Sequence, residues 1–225
     1  MSNKVRIVIA DDHRIVAEGI RGLLEDAGYA VAAVVEDGRA LLRAVEEHAC
    51  DVIVADVSMP MLNGIEAAEQ LKRAGSTTKI IFLTMHAEVS YAARAIAAGA
   101  SGFVLKHSAP GELLTAVREA LAGGTYVTPR VEAELKRLKR PATEAGATAE
   151  SAAAAADPIG RLTPRQREVL QLVAEGRSAK EVARILNISP RTAEFHKYRL
   201  MEQLAVKTNA ELVQYAMRYG LVTPQ

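Results

Sequence analysis

The chain of 225 residues contains one cysteine, Cys50, and therefore cannot form an intramolecular disulfide. It has no apolar run long enough to cross a bilayer, and residues 1–12 lack the basic region and cleavage site of a signal peptide. It also lacks an extreme composition, since 49% of its residues are hydrophobic and 24% are charged, which excludes a disordered or fibrous chain. We therefore expect a globular, cytoplasmic protein, long enough for two domains.

The formal net charge of +1 conceals two halves of opposite sign. Residues 1–125 contain 12 Lys and Arg against 16 Asp and Glu, a net charge of −4. Residues 161–225 contain 11 against 6, a net charge of +5, and no aspartate. An acidic half suits a cation site and a basic half suits a polyanion such as nucleic acid.

Five short apolar runs in the first half alternate with segments that have apolar residues at helical spacing. The runs are residues 5–10, 30–35, 52–55, 80–83 and 103–105, and a helix is predicted over residues 110–121. Strands that are apolar throughout are typical of a parallel sheet with helices on both faces. Residues 1–125 therefore predict a doubly wound, five-stranded α/β domain of the flavodoxin-like class, which binds ligands at the carboxyl ends of its strands.

The second half predicts a linker and a small all-α domain. Residues 126–160 are predicted to be the linker, with a short charged helix at 130–140 and a flexible, alanine-rich tether at 141–160. Residues 161–225 predict four helices, over 164–175, 179–186, 190–204 and 209–219, with capping boxes at Thr163, Ser178 and Thr208. The three-residue turn between the second and third of these helices has helix-turn-helix spacing.

Chemically active side chains follow the predicted strands. Asp11 and Asp12 follow the first strand and Asp56 follows the third, so three carboxylates meet at one edge of the sheet. Such a cluster calls for a divalent cation, and Mg²⁺ is the natural choice for oxygen ligands. Thr84 and Lys106 end the fourth and fifth strands and add two groups that can hold phosphoryl oxygens. Asp56 is the candidate nucleophile in a phosphoryl transfer.

These residues also allow a purely structural interpretation. An aspartate that ends a strand is often only a helix cap, and a lysine there is usually solvated, although five such residues together make coincidence improbable.

One alternative function is an enzyme that acts on an external phosphorylated substrate, but the sequence has no dedicated acid or base for it. Another is a constitutive DNA binder whose first domain serves only for docking or dimerisation. We therefore expect a protein that is not an enzyme.

The first 125 residues resemble the receiver domain of response regulators. The motifs are the Asp11–Asp12 pair, Asp56 followed by Met59-Pro60 and Gly64, the strand-ending Thr84, and Lys106. The resemblance implies phosphorylation of Asp56 by a sensor histidine kinase, and Mg²⁺ held by Asp12, Asp56 and the Ser58 backbone carbonyl with help from Asp11. It also implies that Thr84 moves toward the phosphoryl group and that Phe103 swings inward behind it. Ser58 and His86 flank the path of a hydrolytic water in that family.

Residues from 161 to about 221 resemble the LuxR-type DNA-binding domain, through the segments 162–165, 168–170, 174–176, 180–183 and 192–196. Together the two resemblances identify the chain as similar to response regulators of the NarL/FixJ type. The implied DNA-binding residues are Lys180, Arg191, Thr192, Glu194, His196, Lys197, Tyr198 and Arg199. The last helix is expected to form a dimer contact through Leu212, Tyr215 and Ala216.

The expected partners follow from this resemblance. They are a histidine kinase, double-stranded operator DNA, RNA polymerase, and a second copy of the chain after phosphorylation. We also expect the two domains to occlude each other until Asp56 is phosphorylated.

Overall fold

A computed structural model describes residues 4–108, 110–138 and 159–222, which form two domains. The elements of the first domain are β1 (Arg6–Ala10), α1 (Arg14–Asp26), β2 (Ala30–Val35), α2 (Gly38–Glu47), β3 (Val52–Ala55), α3 (Gly64–Arg73), β4 (Lys79–Thr84), α4 (Val89–Ala98), β5 (Gly102–Leu105), α5 (Pro110–Leu121), β6 (Tyr126–Val127) and α6 (Pro129–Leu138). The five predicted strands are confirmed to within one residue at each end. None of the described helices is both long and apolar enough to span a membrane.

The sheet is parallel throughout and has the order β2-β1-β3-β4-β5-β6. One buried cluster packs α2, α3, α4 and α6 on one face, and a second packs α1 and α5 on the other. This confirms the doubly wound class. The predicted number of strands was wrong, because the two-residue β6 pairs with β5 and adds a sixth. A strand this short has no periodicity that sequence analysis can detect.

The predicted domain boundary at residue 125 lies too early. In α6, Val131 and Leu135 are buried in the same core cluster as α4. Thr128 at the start of α6 donates a hydrogen bond of 2.9 Å to Glu112 and accepts one of 3.3 Å from the backbone of Leu105. The first domain therefore continues through α6. The predicted tether lies outside the described residues, apart from residues 159 and 160.

Within residues 159–222, the second domain consists of four helices around its own core. They are α7 (Pro164–Ala174), α8 (Ala179–Leu186), α9 (Pro190–Gln203) and α10 (Asn209–Arg218). The capping boxes at Thr163 and Ser178 are present. The third is only half formed, because the carboxylate of Glu211 accepts from the N–H of Lys207 and not from that of Thr208. The turn between α8 and α9 begins at Asn187, in the left-handed conformation that asparagine tolerates.

Candidate functional site

Three of the predicted site residues meet at the carboxyl edge of the sheet. The Lys106 ammonium lies 2.6 Å from the Asp56 carboxylate and 2.8 Å from that of Asp11. All three side chains are at least 94% buried. The convergence follows from the topology, because β1 and β5 lie on either side of the β3–β4 pair and all four strands end at the same edge.

Burial and charge set the ionisation of this cluster. Burial raises the pKa of Asp56 above its ordinary value of 3.8, although the neighbouring Lys106 opposes that shift. Burial lowers the pKa of Lys106, but its ion pairs with Asp56 and Asp11 outweigh this and raise it overall. The ionised form of Asp56 therefore needs a nearby positive charge. A bound cation would supply more of that charge.

The donor atoms fit a cation. One ligand atom from each of Asp11, Asp12, His13 and Asp56 can be chosen so that all four lie within 4.8 Å of one another. Asp11 and Asp56 are buried, whereas Asp12 and His13 are exposed. A set of carboxylates open to water on one side suits a hard cation that retains some of its waters. Sequence analysis did not include His13, whose Nδ1 lies 2.9 Å from Asp12.

The remaining predicted residues of the first domain lie in the loop after Asp56 and in the strands β4 and β5. Thr84 is fully buried, and its hydroxyl accepts a hydrogen bond of 3.2 Å from the N–H of His86. The Ser58 N–H donates one of 3.3 Å to Asp56 Oδ1. Phe103 is fully buried in β5, in register with Phe82 of β4. Lys106 thus contacts Asp56, Thr84 ends the strand next to β3, and Phe103 is buried, while the swing of Phe103 stays a prediction.

Two loops that follow the strands meet beside the pocket. Ser58 Oγ and His86 Nε2 are 2.9 Å apart, and the His86 ring stacks on Tyr91 with centroids separated by 4.5 Å. Burial raises the pKa of Tyr91 to about 12. Sequence analysis named Ser58 and His86 but missed Tyr91, whose only signal is its position on the helix after β4.

The exposed face of α9 contains most of the predicted DNA-binding residues. Side chains that are exposed or half-buried there are Arg191, Thr192, Glu194, His196, Lys197, Tyr198 and Arg199, and Lys180 is exposed on α8. The exposed Phe195 lies among them, with the Arg199 guanidinium 5.8 Å from its ring centroid. An exposed basic and aromatic helix face is suited to the major groove.

The predicted dimer residues on α10 differ in how far they are buried. Leu212 and Ala216 are fully buried in the core of their own domain, so neither can be a direct surface contact. Tyr215 is half-buried, and its ring contacts that of Tyr219 in a tilted arrangement with centroids 4.6 Å apart. Periodicity identifies the apolar face of a helix, but it cannot distinguish a core from a partner.

A polar interface joins the two domains, and sequence analysis missed it. Arg167 of α7 lies 2.6 Å from Glu66 of α3 through its Nε, with both side chains at least 93% buried. Gln171 donates to the Met59 carbonyl at 2.8 Å and accepts from the Asn63 N–H at 2.9 Å. Further contacts are Glu168 with Arg39 and Gln70, and Glu175 with the Met61 N–H. These partners belong to the loop that follows Asp56 and to the helices beside it.

The comparisons with known proteins agree with this architecture. Residues 7–118 match the response regulator receiver domain, and residues 160–216 match the bacterial regulatory proteins of the luxR family. Response regulator UvrY of Escherichia coli is 30% identical over 220 residues, covering 96% of this chain and 95% of that protein.

Two solved structures are also similar over nearly the whole chain. RcsB from Salmonella enterica, bound to a promoter in the presence of phosphomimetic BeF₃⁻, has a TM-score of 0.61 and 30% identity, covering 95% of this chain and 98% of that one. A structure of two RcsB dimers bound to two parallel DNAs has a TM-score of 0.58 and 30% identity, covering 98% of this chain and all of that one.

The fold and the buried aspartate pocket define a receiver domain joined to a helix-turn-helix domain. The chain belongs to the response regulators of the NarL/FixJ type and is a phosphorylation-switched regulator of transcription.

Proposed function

We propose that Asp56 accepts a phosphoryl group from a histidine kinase or from a small acyl phosphate. The observation that supports this is the buried Asp56 carboxylate, held by Lys106 at 2.6 Å beside Asp11 and Asp12. A carboxylate oxygen of Asp56 attacks phosphorus, the bond from phosphorus to the donor breaks, and the donor atom leaves with the electron pair. An acyl phosphate releases its carboxylate, and a phosphohistidine releases its imidazole.

Mg²⁺ is the cofactor that fits this reaction. Asp11, Asp12, Asp56 and the backbone carbonyl of Ser58 are the groups that would hold it. When bound, the ion offsets the repulsion between these carboxylates and an incoming phosphoryl group. Lys106 stabilises negative charge on the other side, and Thr84 offers its hydroxyl to a phosphoryl oxygen. The chain itself is the substrate, so any loss of the phosphoryl group is self-directed and not enzymatic turnover.

The second domain is proposed to bind operator DNA in the cytoplasm through α9. Arg191, Lys197 and Arg199 supply positive charge on a face that the described part of the receiver leaves open, and Glu194 is placed to accept from cytosine. RcsB dimers bound to DNA support a dimeric complex for this chain as well. RNA polymerase is the proposed further partner, because a regulator of transcription acts through it.

The proposed switch is the release of the docked domains. Among the described residues, those of the receiver do not cover the reading face of α9, so the expected occlusion does not act on that face. Docking instead holds α7 on the receiver and places Met217 and Tyr219, at the end of α10, beside His86 and Tyr91. Phosphorylation at Asp56 would weaken this docking and free α7 and α10 for the dimer on DNA.

A labelling experiment tests the phosphorylation step. Full-length protein is incubated with acetyl phosphate and Mg²⁺, and the phosphorylated form is separated on a phosphate-affinity gel. Wild type should gain one phosphoryl group that alkali removes, and Asp56→Asn should gain none. Equal labelling of both proteins would contradict the assignment of Asp56.

A further inference from the structure

The hydrogen bond between Ser58 and His86 joins the two loops on either side of the phosphoacceptor. Ser58 lies two residues after Asp56 and donates its N–H to the Asp56 carboxylate. His86 lies two residues after Thr84 and donates its N–H to the Thr84 hydroxyl. Their side chains meet at 2.9 Å, so a displacement of His86 is transmitted to Ser58 beside the reacting carboxylate.

Tyr91 connects this pair to the second domain. One side of its ring stacks on His86 at an interplanar angle of 14°. Its hydroxyl lies directly against Gly220, where a Cβ atom would overlap it. Gly220 has a positive φ of 65°, and both residues are buried. The tyrosine ring therefore has little room to move away from Gly220. A continuous path of contacts therefore runs from Gly220 through Tyr91 and His86 to Ser58.

Residues next to Gly220 in the second domain also lie beside the aspartate pocket of the receiver. Leu221, Val222 and Glu175 share a cavity of about 100 Å³ with Asp12 and Ser58. Asp12 is a candidate ligand for the cation, so the docked domain lines a cavity directly beside the candidate cation site.

We infer that Tyr91 is a positioning residue that couples domain docking to the reactivity of Asp56. The docked Gly220 turn holds Tyr91 against His86, and His86 holds Ser58 beside the carboxylate, so the docked state accepts a phosphoryl group slowly. We take the docked state also to disfavour the phosphorylated form at equilibrium, and by thermodynamic reciprocity phosphorylation then weakens the docking. The inference rests on the proposed function, since it requires Asp56 to be the phosphoacceptor.

A double-mutant cycle on the full chain tests the coupling. The initial rate of Asp56 phosphorylation by acetyl phosphate and Mg²⁺ is measured for wild type, Tyr91→Ala, Gly220→Ala and the double variant. Gly220→Ala pushes against the tyrosine hydroxyl and Tyr91→Ala removes the connection. Each should raise the rate several-fold, and the double variant should be no faster than either, because both interrupt one path.

Three further variants separate this path from a general loss of structure. Tyr91→Phe keeps the stacked ring, whose edge also lies against Gly220, and should stay close to wild type. Tyr29→Ala removes a tyrosine from the opposite face of the sheet and should not change the rate. Gln171→Ala loosens docking without touching Tyr91 and should also raise the rate, which preserves the test if Gly220→Ala fails to fold.

The possible outcomes are distinct. Unchanged rates in Tyr91→Ala and Gln171→Ala would overturn the inference, and so would additive effects of Tyr91→Ala and Gly220→Ala. Absence of phosphorylation in wild type would instead contradict the proposed function, whatever the variants do.

Discussion

The side chain of Gln171 accepts a hydrogen bond of 2.9 Å from the backbone N–H of Asn63, and this bond crosses the boundary between the domains. Gln171 is fully buried and its amide also donates to the Met59 carbonyl. It therefore satisfies two backbone groups of the loop between Asp56 and α3. A change in that loop on phosphorylation acts directly on α7.

Gln171→Ala should weaken the docking and increase DNA binding by the unphosphorylated protein. The substitution leaves two backbone groups without partners, at a cost of about 1–3 kcal/mol in the docked state. Fluorescence anisotropy with labelled operator DNA should show tighter binding before phosphorylation and a smaller gain after it. The matched control is Gln203→Ala at the far end of α9, because Gln203 forms its hydrogen bonds with Gln166 and Arg161 of its own domain. Equal affinities for Gln171→Ala and wild type would contradict the role of the interface.

Lys106→Met should destabilise the receiver by about 3–5 kcal/mol when no divalent cation is present. The substitution removes the ammonium between Asp11 and Asp56 and leaves two buried carboxylates without it. Urea denaturation measures the loss, and added Mg²⁺ should restore more stability to the variant than to wild type. The same midpoint for both proteins without Mg²⁺ would show that the ion pairs contribute nothing to stability.

Asp56→Asn should raise the free energy of unfolding at pH 7. Burial raises the pKa of Asp56 above 3.8, so the folded state binds its proton more tightly than the unfolded state does. The stability associated with that proton is complete below pH 3.8 and is lost as pH rises through the folded pKa. The advantage of the variant should therefore shrink as pH falls. An advantage that stays constant with pH would rule out this cause.

Two substitutions in α9 should separate specificity from affinity. Glu194→Ala should relax the preference at one base pair, because a carboxylate reads cytosine and is repelled by phosphate. Arg199→Ala should weaken binding to all sequences and reduce the salt slope by about 1, as the loss of one phosphate contact does. Affinities measured for a set of operator variants at several salt concentrations distinguish the two effects. A uniform loss for Glu194→Ala would contradict base reading.

A receiver fragment ending at residue 125 should be less stable than one ending at residue 138. The shorter fragment lacks β6 and the buried Val131 and Leu135, which pack against α4. Thermal denaturation should show a lower Tm for it. Equal Tm values would place the domain boundary at residue 125 after all.

Much of the fold follows from local features of the sequence. Strands of four to six apolar residues and helices with Thr163 or Ser178 at their caps carry their own signals, and the topology then brings Asp56 and Lys106 to one edge. The Gln171 and Arg167 contacts could not be predicted, because a polar residue on a helix usually faces water and the partners lie about 100 residues away. The burial of Leu212 and Ala216 likewise depends on tertiary packing, not on spacing.

The central claim, that phosphorylation of Asp56 controls DNA binding, is tested most directly by affinity for DNA selected from a random library. The dissociation constant is measured for wild type and Asp56→Asn, with and without acetyl phosphate and Mg²⁺. Wild type should bind roughly tenfold more tightly after phosphorylation, within the usual range of allosteric coupling, and Asp56→Asn should not change. An unchanged affinity for phosphorylated wild type, or an equal gain in Asp56→Asn, would contradict the account.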